Sequence, residues 1–403
     1  LQSLKDRFAV VGLGMIVGPN DSYEPGRTAR AMETEAARLA IEDAGLRRED
    51  IDGYVHVHGG PRSGRGMSEF TDAPPRVLGL PVNFYYRCGR GGAWGTFGLT
   101  TALSFLEFGM ATHVIVSGSR DDWTRMKSSK ERGFIGQTSV ARPVGTFADP
   151  LGATNAVSNH TLFATRHMAT YGTTSEDFGS IAVQIRQWAN LNPLARMYHK
   201  KMTLEDHQNS PVHVWPYHVA DMAVTTDGAV AFVVTTKDRA KDLAKRPVYV
   251  KGVGFGDSVG GQWWDGPSHY ERLPVKGAKE TAFGQAGIDV KDLSMAQFYD
   301  CFTGEVLLQL EDYGFCAKGE GGAFAREGHL GPGGAIPSNT SGGLLSAYHM
   351  ADLTGISESI LQLRGEAGDR QVSEPNFSLV TGHGGELISP GMCSVHSSLI
   401  LGR

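Results

Sequence analysis

One pattern occurs twice in this chain, and that repetition limits its fold more than any other feature. The stretch 36–51, AARLAIEDAGLRREDI, resembles the stretch 278–293, AKETAFGQAGIDVKDL. In each, apolar residues at helical spacing close on Ala-Gly-aliphatic, as Ala44-Gly45-Leu46 and Ala286-Gly287-Ile288. A glycine there stops a helix because it enters the left-handed region without a Cβ clash. An Asp-aliphatic pair follows in both, Asp50-Ile51 and Asp292-Leu293, and then an entry into a strand at Tyr54 and at Gln297. A matched stop and a matched entry predict a duplicated unit, with halves at 1–245 and 246–403.

The segments around the repeat predict an α/β fold. Phe8 to Leu13 reads as a buried strand, Thr28 to Ala44 as a helix, and Ile51 to Val57 as the next strand. Ala93 to Phe108 reads as a helix of small and apolar residues, followed by a strand at His113 to Ser117. Asp227 to Val234 and Val248 to Val253 are further buried strands, separated by a basic helix reaching Lys245. Strand and helix in alternation predict largely parallel sheets. From about 120 to 225 the pattern turns irregular, with a helical stretch at Ser175 to Asn190, and reads as a large insertion over one face of the first half.

Composition narrows the function. With 403 residues, 40% hydrophobic and 20% charged, the chain can bury a large core. A net charge of -5 without a basic cluster argues against a partner read through its phosphates. No run of 18 apolar residues occurs and the first residues lack an apolar signal core, so a cytoplasmic location is expected. The cysteines at 88, 301, 316 and 393 have neither zinc-site spacing nor the density of a disulfide scaffold, and are expected as free thiols with no metal. His56 and His58 alternate on a strand and make a poor metal pair, and His213 and His218 read as structural. The glycines at 12, 14 and 18 are followed by Pro19-Asn20 where a dinucleotide fold starts its helix, which weakens a nicotinamide reading.

The second half carries a resemblance. Asn339-Thr-Ser-Gly-Gly-Leu-Leu-Ser346 is similar to the segment leading into the histidine loop of thiolases, and Thr381-Gly-His-Gly-Gly385 resembles their C-terminal glycine loop. Thr203 to Ser210, Thr226 to Val230, Tyr299-Asp-Cys-Phe-Thr303, Gly314 to Glu320 and Gln362 to Gly365 extend it over nearly the whole chain. The chain resembles the thiolase superfamily, within it the sterol-carrier-protein and lipid-transfer branch, nearest the bacterial aldolases that shorten steroid side chains. The resemblance implies a duplicated thiolase fold with a layered αβαβα core. It also implies an acyl-coenzyme A thioester substrate, a homodimer, and a small zinc-ribbon and OB-fold partner that would carry any zinc.

Thiolases need a thiolate at a helix N-terminus, where the helix dipole favours its charge. Similar thiolases keep a glycine seventeen residues past the nucleophile, and matching it to Gly109 at the helix end puts that position at Gly92, which has no side chain, while Cys88 lies four residues too early. The second thiolase cysteine is replaced at Thr381 and Gly382, and Cys393 comes too late and reads as core. In the steroid aldolases a tyrosine stands at the position matching Tyr299, and a second follows the Gly-Gly segment. Here that segment continues as Ser346-Ala-Tyr348-His349, so a one-residue gap makes Tyr348 the second group and a gapless register makes it His349. The implied reaction is retro-aldol cleavage of a β-hydroxyacyl-coenzyme A in steroid or lipid side-chain degradation. Tyr299 is the expected base, with Tyr348 or His349 assisting and Asp300 as an orienting acceptor. Gly92, Gly342, Gly343, Gly384 and Gly385 are expected to supply backbone donors around the thioester. Two alternatives stay open: acyl transfer by a thiolase through Cys88 and His349, and a non-catalytic acyl-coenzyme A-binding subunit.

Overall fold

The structure is a computed structural model and describes residues 4–18, 27–59, 72–128, 156–257, 273–384 and 395–403. Its strands are β1 (Phe8–Ile16), β2 (Gly53–Gly59), β3 (Phe84–Arg87), β4 (His113–Asp121), β5 (Val212–Val214), β6 (Tyr217–His218), β7 (Asp227–Thr236), β8 (Val248–Asp257), β9 (Met295–Gln297), β10 (Phe377–Gly384) and β11 (Val395–Gly402). Apart from the β5–β6 hairpin, they form one sheet in the order β3-β2-β4-β7-β1-β8-β11-β10-β9. Outward from the centre, β1-β7-β4-β2 on one side mirrors β8-β11-β10-β9 on the other. The two runs meet through the pairs Ala9 with Tyr249 and Val10 with Val248. The repeat seen in the sequence is thus a repeat of strand path.

It is repeated in detail as well. Helix α1 (Ala29–Asp43) is capped by Thr28, whose hydroxyl accepts from Ala31 N, and ends at Gly45 with φ 71°. Its Ala36 and Ala40 press on β1 so closely that a Cβ at Gly14 or Gly12 would lie 1.9 or 2.1 Å from their carbonyl oxygens. In the second half Gly254 and Gly252 of β8 meet the carbonyls of Ala278 and Ala282 in the same way, at 2.1 and 2.0 Å. The strand glycines therefore serve helix–strand contact. After each helix the next turn is closed alike, Arg47 N donating to Asp50 and Asp289 N to Asp292, both at 2.8 Å.

Two sequence expectations are corrected. The sheet is mixed: β2–β3, β2–β4 and β9–β10 are parallel, whereas β1–β7, β4–β7, β1–β8, β8–β11 and β10–β11 are antiparallel. The crossover units are parallel as alternation predicts, but β7 and β11 enter between their strands and run against both neighbours. The basic helix expected up to Lys245 spans only Lys237–Ala240, because the chain leaves it for Ala244 N to donate to Ala44 O at the end of α1.

Helices α2 (Trp94–Glu107) and α7 (Asp352–Arg364) pack against each other and reach strands of both halves, forming the central layer, while α1 and α5 (Val275–Ala286) cover the outer faces. Alternation in β1 shows the layering, since Phe8 and Val10 face the α2 and α7 side and Ala9 and Val11 the α1 side. Three more helices shape the site: α3 (Ala156–Tyr171) and α4 (Ser175–Ala189) in the insertion, and α6 (Thr303–Tyr313) in the second half. The insertion is tied to the second half by Trp188 Nε1 on Leu330 O, Asn192 Nδ2 on Ser341 O and Arg186 Nε on Ser346 Oγ, at 2.8 to 2.9 Å. No helix among the described residues is long and apolar enough to cross a membrane.

Candidate active site

Gly92 lies one residue before the N-cap of α2, at the expected mouth of the site. Its N–H donates to His383 O at 2.8 Å, and a Cβ at this position would lie 2.2 Å from both that oxygen and Cζ of Tyr299. No side chain fits here, because the Tyr299 ring fills the space one would use. The donors at the start of α2 are also occupied: Gly95 N, Thr96 N and Thr96 Oγ1 all donate to the Asp352 carboxylate, at 2.7 to 2.8 Å. Asp352 is buried, and burial pushes its carboxyl up to about 6 although these donors favour the charged form. Ala351 before it adopts φ 52°, a costly conformation for a residue with a Cβ, and Asp352 N reaches back to Gly92 O at 3.2 Å. No sequence reading singled out Asp352.

Tyr299 follows β9 and is fixed by two further elements. Its N–H donates to Thr381 Oγ1 of β10 at 2.8 Å, its carbonyl accepts from Gln309 Nε2 of α6 at 3.0 Å, and Thr381 donates to Gln309 Oε1. Asp300 is fully turned inward, accepting from Leu344 N at 2.8 Å and Leu345 N at 3.3 Å. Burial pushes its carboxyl up to about 7, against those two donors. It holds the turn Gly343–Ala347, and only glycine fits at 343, where φ is 58° and a Cβ would meet the Asp300 carboxylate at 2.0 Å. Asp300 and Asp352 border a hollow of about 10 Å³, room for roughly one water and far too small for an acyl chain.

The glycines expected around the thioester have these partners. The N–H groups of Gly92, Gly342 and Gly343 serve His383 O, Asn339 O and Ser341 Oγ. Gly384 closes β10 opposite Val395, and Gly385 and Cys393 lie outside the described residues.

Comparison with known proteins gives this arrangement its family. A steroid side-chain-cleaving aldolase of Thermomonospora curvata is 32% identical over 93% of this chain and 95% of its own. A 17-hydroxy-3-oxo-4-pregnene-20-carboxyl-CoA lyase of Mycobacterium tuberculosis is also 32% identical, over 90% of this chain and 92% of its own. The family described as thiolase C-terminal domain-like matches residues 268–403. The chain belongs to the thiolase superfamily. Among solved structures, an Ltp2-ChsH2(DUF35) aldolase superposes with TM-score 0.83 and 31% identity over 99% of this chain and 98% of that one. Human mitochondrial 3-ketoacyl-CoA thiolase, 15% identical with TM-score 0.68 over the full length of both chains, shows the shared fold.

Within this thiolase fold the surroundings of Tyr348 and His349, the two candidates for the second group, differ. Tyr348 is 1% exposed, its phenol 3.2 Å from Ser357 Oγ, and burial helped by the nearby Glu358 raises it well above the ordinary tyrosine range. His349 is half-buried, its N–H donating to Thr226 Oγ1 at 2.9 Å. Cys88 precedes α2 with its thiol 3.6 Å from Thr101 Oγ1, and burial raises it too, the opposite of an activated nucleophile.

Sequence reasoning missed a group beside Tyr299. The ring of His383 lies 4.9 Å from that of Tyr299 and stacks on His160 at 5.5 Å with an 11° tilt. His383 Nε2 is 3.6 Å from Cys301 Sγ, and His160 Nδ1 bonds Glu305. His383 belongs to the glycine loop and Cys301 to the Tyr-Asp-Cys-Phe-Thr segment, so both sat inside recognised motifs. His160 gave no signal, because α3 lies in the insertion.

Proposed function

We propose that this enzyme cleaves a β-hydroxyacyl-coenzyme A by retro-aldol chemistry, the reading that its aldolase and lyase relatives carry in their names. The observation behind it is the exchange at the mouth of α2, where a phenol ring fills the volume a nucleophilic side chain would need. In the reaction Tyr299, as phenolate, takes the β-hydroxyl proton. The oxygen's electrons form a C=O bond, the Cα–Cβ bond breaks, and its electron pair passes to the thioester as an enolate. Protonation at Cα then gives the shorter acyl-coenzyme A, while the other fragment leaves as a ketone or aldehyde. A tyrosine can act so only where its surroundings lower its usual pKa of about 10.

We assign the second role to His349, in the gapless register, as hydrogen-bond donor to the enolate oxygen. The burial of Tyr348 against Ser357, which takes its phenol out of reach of a substrate, supports this. Asp300 and Asp352 position these groups, one holding the turn before His349 and the other the start of α2. A DUF35-class partner, suggested by the solved Ltp2-ChsH2(DUF35) aldolase, and pairing of two copies of this chain complete the proposal.

The test is turnover of β-hydroxyacyl- and β-ketoacyl-coenzyme A esters with and without free coenzyme A. A retro-aldol step leaves the thioester in place, so cleavage of the hydroxy esters should proceed without added coenzyme A. Strict dependence on it, with consumption of the keto esters, would make the protein a thiolase.

A further inference from the structure

We propose that His160, Cys301 and His383 form a buried site for a divalent metal ion of the zinc class, next to Tyr299. One ligand atom from each residue lies within 4.8 Å of the other two, and all three residues are buried. Tetrahedral zinc, with bonds of about 2.0–2.3 Å, sets its ligands roughly 3.5 Å apart. Cys301 Sγ and His383 Nε2 already stand at 3.6 Å, and a ring nitrogen of His160 lies within 4.8 Å of both. Two imidazoles and one thiolate are ligands of the type that zinc takes in catalytic sites, where three protein groups leave a fourth position open.

The surroundings add a second feature of such sites. A metal-binding histidine typically gives its other nitrogen to a carboxylate, which fixes the ring and makes it a better ligand. His160 Nδ1 is held in this way by Glu305 of α6. The three ligands come from α3, from the segment after β9 and from β10, so the site exists only once the insertion has docked on the second half. Linear spacing could not reveal it.

A divalent cation with one thiolate keeps a net positive charge beside the Tyr299 ring, 4.9 Å from that of His383. With the β-oxygen in its open position, that charge lowers the pKa of the hydroxyl whose proton passes to Tyr299 and stabilises the oxygen until C=O forms. This role, but not the site itself, rests on the retro-aldol reading.

The full chain, expressed without a partner and dialysed against metal-free buffer, is loaded with Co²⁺ and with Zn²⁺. One equivalent per chain should remain after desalting, and the Co²⁺ form should show a thiolate-to-cobalt charge-transfer band in the near ultraviolet. Cys301→Ser should abolish that band, and Glu305→Gln should weaken metal affinity about 10- to 100-fold while keeping the band. Circular dichroism of each variant, with chelator removal and reloading of the unmutated chain, separates loss of metal from loss of fold. Failure of the unmutated chain to retain either ion, or a band that survives in folded Cys301→Ser, overturns the site. A retained ion without lyase turnover, even with the partner subunit added back, would instead sink the retro-aldol reading and leave the site standing, whereas full turnover without metal keeps that reading and overturns the ion's part in the chemistry.

Discussion

The two central helices occupy corresponding places in the two halves and treat polar groups in opposite ways. Helix α2 runs from Trp94 to Glu107 through small and apolar residues and has nothing reactive at its start, only Gly92. Helix α7 is almost wholly buried yet carries Asp352, Ser357, Glu358 and Gln362 into the interior. Those groups are satisfied: Glu358 pairs with Arg370 at 3.0 Å and accepts from Thr340 Oγ1 at 2.8 Å. The contrast joins at one carboxylate, since Asp352 begins α7 and caps α2. A helix N-terminus stabilises negative charge. In this chain the charge it meets is a fixed aspartate of the other half, so the start of α2 is a structural joint, and the reacting groups we propose, Tyr299 and its neighbours, lie outside the helix.

The largest expected effect tests that displacement. Tyr299→Phe keeps the ring that fills the space above Gly92 and removes only the hydroxyl. Turnover should fall about 100- to 10,000-fold, the range typical of a lost general base, with acyl-coenzyme A binding little changed. A loss under about tenfold would remove Tyr299 from the chemistry.

A second pair of variants decides between neighbours on one loop. His349→Ala should lower turnover roughly 100-fold. Tyr348→Phe should leave it within a few-fold and cost about 1 kcal/mol of stability for the lost Ser357 hydrogen bond. The reverse outcome would restore the register with a gap and make Tyr348 the catalytic group despite its burial.

The contrast between the helices was only partly legible in the sequence. The repeat, the stop glycines and the buried strands follow from local patterns, because helix stops and two-sided burial leave marks within a dozen residues. The empty position at Gly92 was legible by counting along α2. Strand order was not, since nothing local in β7 or β11 says which neighbours it will join. Asp352 was hidden for the same reason: its carboxylate caps a helix 256 residues away in sequence. His160 and Glu305 meet 145 residues apart, and no motif includes both. Where a group acts across the interface of the halves, its meaning arises only from the fold.

Asp352 also predicts a pH dependence. In the folded protein its carboxyl keeps its proton to about pH 6, whereas in the unfolded chain it loses it near 3.9. Between these values the folded state binds more protons, so this group's contribution to stability falls as pH rises through the window and is flat above it. Asp352→Asn removes that slope. Relative to the unmutated chain, the variant should gain roughly 1–3 kcal/mol between pH 4.5 and 7, read from denaturant unfolding. Parallel curves across the window would mean that the carboxyl is not held in a desolvating site.

The smallest expected effect comes from the cysteine that lies nearest the mouth of α2. Cys88 precedes the helix rather than starting it, and the first-turn donors that could favour a thiolate are held by Asp352. Burial raises its pKa, so little thiolate forms at neutral pH, and its sulfur meets the hydroxyl of Thr101 on the side of α2. Cys88→Ala should therefore leave turnover within about threefold, because removing a thiol that stays protonated removes packing and not a nucleophile. Iodoacetamide should label Cys88 slowly and with little loss of activity. Rapid labelling that acyl-coenzyme A blocks, together with a thousandfold fall in Cys88→Ala, would show that the turn before α2 opens during catalysis and delivers the thiol to the site. The two helices would then share a thiolase mechanism after all, with Cys88 at the first and His349 ahead of the second.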